Sequence, residues 1–325
     1  MIHAYVGRNG AIDQATLAPD APMPPGGLWL DLDSPTEEER RRVEAALSVV
    51  LPTRDEMKEI EPSSRLYVEN GALYMTATII AHADDPNPTA NPITFILTGH
   101  TLITLRHSDP RPFLTYGMKI VKQAASCGSG EEALIGLLET IVDRIADILE
   151  KVSTELEATA RQIFAAGSAG PDSNLQAVLK SLAREEDLTS TSRESLLGLL
   201  RVARFFAATG EGPSKKETKD HKQRLKTLVR DIALLNEHVS FELTKINFLL
   251  DATLGMINIE QNRIIKLFSV AAVVFLPPTL VASIYGMNFR NMPELDWIFG
   301  YPMAIGMMIL SAILPYLYFK HRRWL

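Results

Sequence analysis

The sequence predicts an α+β domain, a long helical stalk and two C-terminal transmembrane helices. Three observations carry this. β-rich apolar runs crowd the first ~125 residues, and leucine and isoleucine then recur at alternating steps of four and three. Two uncharged apolar runs of membrane length close the chain.

Residues 1–125 read as the α/β domain. Residues 28–32 are a short apolar strand candidate, and Ser34, Pro35, Thr36 and Glu37 give Ser-x-x-Glu, a capping-box start for a helix running to about Val50. Residues 66–69, 72–81, 93–98 and 101–106 are β-rich. Gly99 and His100 form a two-residue joint between the last two, the spacing of a tight hairpin. Asp84, Asp85, Pro86, Asn87 and Pro88 mark an exposed loop.

Residues 126–212 read as an antiparallel helical hairpin. Leu134, Leu138, Ile141, Ile145, Ile148 and Val152 make a seam of coiled-coil spacing, interrupted from Gly167 to Pro171. A second helix follows, from about Asn174 to Ala208, and the Gly210-Glu211-Gly212-Pro213 turn ends it. That turn leads into Ser214, Lys215 and Lys216 but lacks the Gly-Lys-Ser/Thr spacing of a phosphate loop. Residues 213–266 form the stalk. Leu225, Leu228, Ile232, Leu235, Val239, Leu243, Ile246 and Leu250 hold the same seam, with no helix breaker until Pro277 and Pro278. A helix from Lys215 to Met287 would be on the order of 110 Å long.

The apolar runs cover 267–289 and 298–319. Roughly 20 residues at 1.5 Å each cross a ~30 Å hydrocarbon core, so both can span. The competing reading is a buried helical hairpin in a soluble core. Back-to-back runs with aromatic and basic flanks favour spans, set at 267–288 and 301–319 with a loop over 289–300 and a basic tail over 320–325. Trp297, Tyr301, Tyr316, Tyr318 and Trp324 fall at interfacial depth. Arg263 and Lys266 precede the first span and Lys320, Arg322 and Arg323 follow the second, whereas the loop holds only Arg290. Positive-inside then places both termini in the cytoplasm. Residues 1–10 show no secretory signal.

Composition removes several classes. A net charge of -6 argues against a nucleic-acid binder. One cysteine, Cys127, builds neither a disulfide framework nor a cysteine-rich zinc site. Mean hydropathy of +0.03 is too even for a polytopic transporter over the whole length, so the apolar excess is local. The seven histidines form no HxxH or HxxxH pair. No nucleophile–base motif or phosphate loop supports an enzyme, and no cofactor is expected.

Neither span contains Asp, Glu, Lys, Arg or His, which disfavours an intramembrane proton relay. Asn262, Ile265, Ser269, Ala272, Leu276, Thr279, Ser283 and Gly286 step by three and four along the first span and its approach. This stripe reads either as a small-residue packing seam or as a pore lining, with Leu276 a dry constriction. Two helices cannot enclose water, so a pore demands a ring of subunits. At the outer end Asn288 supplies a neutral amide oxygen, able to hydrogen-bond a hydrated ion without stripping it. Glu294 and Asp296 add a mild negative field.

Residues 285–288 (Tyr-Gly-Met-Asn), 292–295 (Met-Pro-Glu-Leu), 300–302 (Gly-Tyr-Pro), the 258–279 segment and the 318–325 ending carry a resemblance to the CorA magnesium transport proteins, above all their proteobacterial branch. It is strongest over the last ~75 residues. The resemblance implies a funnel-shaped homopentamer in the bacterial inner membrane, passing Mg²⁺ with Co²⁺ and Ni²⁺ as passengers. It implies that Gly286, Met287 and Asn288 form the outer selectivity motif and that the first span lines the pore. In the family register Phe268 stands where the stripe has Ser269, and Ser283 replaces a glycine common in other branches. The family is thought to close when cytoplasmic Mg²⁺ bridges acidic groups between subunits; Asp84, Asp85, Asp231, Glu237 and Asp251 are the candidates here. Entry into a negative cytoplasm gains a divalent ion roughly 4.6 kcal/mol per 100 mV, so no nucleotide is needed. The rivals are a zinc transporter of the ZntB type and a membrane-anchored cytoplasmic sensor or scaffold.

Overall fold

The computed structural model describes residues 1–8, 11–18, 21–24, 27–85, 87–122, 127–166, 175–209, 215–287, 292–293 and 297–322. Two units emerge: Met1–Gln162 with Ala177–Leu249, and Ile163–Gln176 with Leu250–Leu325.

The first unit opens with β1 (Ile2–Arg8), β2 (Ala11–Leu17), β3 (Gly27–Asp33), α1 (Glu37–Leu47) and a four-residue α2 (Pro62–Arg65). Then come β4 (Leu66–Glu69), β5 (Ala72–Ala81), β6 (Thr89–Thr98), β7 (Thr101–Arg106) and α3 (Arg111–Lys122). The strands form one sheet in the order β2-β1-β3-β7-β6-β5-β4. Every neighbouring pair is antiparallel except β3 with β7. The β6–β7 joint is the expected two-residue turn, with Thr98 opposite Thr101 and Gly99 at φ 54°, a left-handed angle that glycine adopts without a Cβ clash.

One local prediction shifts. The capping box forms two residues after the one read from Ser34: Thr36 Oγ1 accepts from the Glu39 amide at 3.3 Å, and Glu39 Oε2 accepts from the Thr36 amide at 2.9 Å. Ser34 instead has φ 45° and donates its amide to the Arg106 carbonyl at 2.8 Å. The end of the sheet therefore claims Ser34, and the helix starts after it.

The parallel seam between β3 and β7 holds a buried polar network. Register places Asp31 beside Thr104 and Asp33 beside Arg106. Trp29 Nε1 donates to Thr104 Oγ1 at 2.9 Å, and Thr104 donates to Asp31 Oδ1 at 2.8 Å. Arg106 reaches Asp31 with Nε and Nη2 at 3.0–3.2 Å, and its Nη1 donates to the Ser108 carbonyl at 2.6 Å. Burial opposes the Arg106 charge, but Asp31, Asp33 and Asp109 outweigh it and raise its pKa.

Three long helices follow: α4 (Gly130–Ala166), α5 (Leu175–Thr209) and α6 (Lys215–Tyr285). The α4 seam is buried as its period requires, from Leu134 through Val152. On α6, Leu225, Leu228, Ile232, Val239 and Ile246 are buried, whereas Leu235, Leu243 and Leu250 are half-buried. Polar ties join α4 to α6 within this unit. Arg224 grips Glu139 through two bonds of 3.1 and 2.7 Å, and Ser153 meets His238 at 3.1 Å and donates to Glu242 at 2.8 Å. α6 has 71 residues and so measures about 107 Å at 1.5 Å per residue.

The second unit contains the far end of α6 and α7 (Gly300–His321), two helices long and apolar enough to cross a membrane. Their most apolar windows are each only 6% buried.

Removing one partner of a buried ion network leaves the others uncompensated, at a cost of about 3–5 kcal/mol. Arg106→Met should therefore lower the thermal unfolding midpoint of the solubilised protein sharply, whereas Lys58→Met, at an exposed pair with Asp55, should leave it within about 1 kcal/mol.

Candidate functional site

From Leu267 to Tyr285, α6 carries no Asp, Glu, Lys, Arg or His. Its side chains divide by direction. Val270 is buried, and Ala271, Val274, Pro277, Pro278, Val281 and Tyr285 are half-buried. At ~100° per residue these seven fall on one side of the helix. Asn262, Ile265, Phe268, Ser269, Ala272, Leu276, Thr279 and Ser283 are all exposed and centre on the opposite side. Phe268 marks one edge of this arc and Ser269 lies near the other, just inside Asn262, so both belong to it. The arc alternates large apolar groups (Phe268 is 68% exposed, Leu276 66%) with hydroxyl, amide and methyl side chains.

Pro277 and Pro278 lie inside the helix. Each lacks the N–H that would reach the carbonyl four residues back, which frees the carbonyls of Val273 and Val274 from their usual donors. Thr279 Oγ1 donates to the next carbonyl, that of Phe275, at 2.8 Å.

The helix ends by tightening. The Gly286 amide donates to the Ala282 carbonyl at 2.9 Å and the Met287 amide to Ile284 at 3.3 Å, a step of four and then of three. Gly286 does not adopt a left-handed angle. A Cβ at that position would stand 3.0 Å from the Ala282 carbonyl oxygen. Met287 is exposed. Asn288, Glu294 and Asp296 lie outside the described residues.

The acidic candidates differ in their surroundings. Asp84 is held by three cations: Arg144 at 2.5 Å, Arg111 at 3.5 Å and Lys151 at 3.7 Å. Arg144 and Lys151 are seven apart on one face of α4, a spacing visible in the sequence, but Asp84 lies 60 residues before Arg144. Asp85 pairs with His82 at 3.2 Å, and Asp231 approaches Arg230 at 3.6 Å. Among the described residues, Glu237 and Asp251 are exposed on α6 with no ion pair. No group of three or more His, Cys, Asp or Glu side chains among the described residues is placed to hold a metal.

The family described as "CorA-like Mg2+ transporter protein" matches residues 26–321. The chain belongs to that family. It is 36% identical over 325 residues to the magnesium transport protein CorA of Escherichia coli (strain K12), covering all of both chains. It is 40% identical over 298 residues to that of Yersinia pseudotuberculosis, covering 92% of each. Among solved structures it is similar to the complete CorA magnesium transporter of Methanocaldococcus jannaschii, with a TM-score of 0.74 at 17% identity over 100% of this chain and 99% of that one. The ZntB cytoplasmic domain of Vibrio parahaemolyticus gives 0.52 at 14% identity over 79% of this chain and 97% of that one. These structural likenesses show the fold. The full-length CorA relatives place the chain among magnesium transporters, ahead of the zinc rival.

Proposed function

We propose that the chain forms a homopentamer in the bacterial inner membrane, with both termini cytoplasmic, and conducts Mg²⁺ passively inward, with Co²⁺ and Ni²⁺ as passengers. The observation that carries this reading is the uncharged, exposed arc of α6, which runs from Asn262 to Ser283 on the side away from the chain's own contacts and leads to Gly286, Met287 and Asn288. Neutral oxygens along such an arc can hydrogen-bond a hydrated ion without stripping its shell. Asn288 is the selectivity contact, and Glu294 and Asp296 concentrate cations at the mouth.

Assembly has support from α6 within the first unit. Leu234, Phe241 and Phe248 are exposed at steps of seven. Large apolar side chains repeated along one face of a long helix favour packing against other helices. Glu237 lies on the same side, so a second copy packing there would bring its own charges close to this carboxylate. Glu237, with Asp251 further along α6, is for this reason the better-supported regulatory ligand. Asp84 and Asp231 stay secondary because cations already stand beside them, and Asp85 because His82 already pairs with it.

Asn288→Ala should reduce Mg²⁺ uptake by a transport-deficient host at least tenfold; unchanged uptake would remove Asn288 from selectivity. In a Cys127→Ser background, Thr279→Cys and Ser283→Cys should react with a charged, membrane-impermeant thiol reagent, and excess Mg²⁺ should slow the reaction. Val274→Cys and Val281→Cys, on the opposite side, should stay unreactive. In liposomes, Mg²⁺ influx should need no nucleotide and should fall when the inside-negative potential is collapsed, since each 100 mV supplies roughly 4.6 kcal/mol to a divalent ion.

A further inference from the structure

In the first unit, Glu185 of α5 is 1% exposed, and its Oε2 has no hydrogen-bond donor facing it. Glu155 of α4 lines the same small cavity as Glu185, and it is the carboxyl group whose contact with Glu185 favours the protonated form. Two ionised carboxylates have acceptors only, so the contact exists when one of them carries a proton. Beside the pair is a cavity of about 20 Å³, room for roughly one water.

We propose that Glu155 and Glu185 form a proton-held latch between α4 and α5, which loosens as pH rises. The remaining charges around the cavity are Arg144, Asp147 and Lys151 from α4, Arg184 from α5 and Asp84 from the β5–β6 connection. Arg144 and Lys151 are engaged by Asp84. Arg184 and Lys151 draw the proton away from Glu185, but burial and then the Glu155 carboxyl act more strongly, and the Glu185 pKa is pushed up to about 8.

The sign follows from proton counting. When the latch opens, Glu185 meets water, returns to the ordinary glutamate range and releases its proton to solvent. The closed form therefore binds one more proton than the open form between that range and about pH 8. The contact is strongest at low pH, weakens as pH rises through this window, and levels off above it. Between pH 7 and 9 the closed form gives up close to one unit of this linkage, about a tenfold shift toward opening.

Hydrogen exchange on the full chain in lipid nanodiscs tests this, with exchange times scaled for base catalysis. Amides of α4 around Glu155 and of α5 around Glu185 should lose about tenfold in protection between pH 7 and 9, while β5, β6 and β7 keep theirs. Glu185→Gln keeps a neutral hydrogen-bonding group facing Glu155 and should abolish the loss. If that variant fails to fold, Glu155→Gln, made from the half-exposed side, should move the loss to lower pH. A wild-type chain with no such local change, a Glu185→Gln chain that loses protection like wild type, or a Glu155→Gln chain with an unmoved transition would overturn the latch.

Discussion

A membrane-crossing helix without an ionised side chain can meet a divalent cation only through neutral oxygens, and this constraint governs how the molecule is built. Mg²⁺ parts with its water reluctantly, so a lining of hydroxyls, amides and carbonyls suits an ion that keeps its shell. The proposed lining cannot work from one chain, because a single exposed arc encloses nothing. The same segment of α6 also leaves Phe268, Phe275 and Leu276 well exposed, a surface that water does not tolerate at this extent. Lipid on one side and sister helices on the other would satisfy both demands. The length of α6 belongs to the same design: it is one helix of 71 residues that carries both a buried apolar seam and the charge-free segment.

Much of this was legible because it rests on strong periodicities. The α4 and α6 seams repeat every three or four residues over many turns, and the buried leucines and isoleucines fall where that period puts them. The sheet was partly legible. β5 and β7 are β-rich and nearly all buried, and β6 is buried from Ile93 to Leu97, but β2 buries only Ile12, so the N-terminal hairpin leaves no alternation to read. α3 was also missed. Its twelve residues keep a helical spacing of buried Phe113, Tyr116 and Ile120, but Pro112 and Gly117 read as helix breakers in so short a run. The capping box was found but misplaced by two residues, because nothing local reveals that Ser34 is bonded to Arg106 across the sheet.

The candidate site divides along the same line. The stripe on α6 follows from helical geometry alone and reappears as an exposed arc. Contacts that depend on distant chain are different. The cations around Asp84 come from Arg111, Arg144 and Lys151, 27 to 67 residues further on, and the facing of Glu155 and Glu185 depends on how two helices meet. An acidic dipeptide in a loop suggests a metal ligand, but its chemistry is decided by what folds against it. Asp84 is tied to three cations of its own chain, so a metal ion would have to displace them.

That displacement links the two acidic sites. Arg144 and Lys151, which hold Asp84, also line the cavity beside Glu155 and Glu185. A divalent cation that captured Asp84 would release both toward that cavity, where positive charge favours ionised Glu185. Metal binding at Asp84 would thus lower the pH at which the proposed latch opens. Linkage is reciprocal, so deprotonation of Glu185 would pull Lys151 toward it and away from Asp84, making Asp84 more available to a cation. Glu237 and Asp251 have no such cation to release. In the proposed assembly, metal bound at those two positions would act through the subunit contact alone, whereas metal bound at Asp84 would act through a proton.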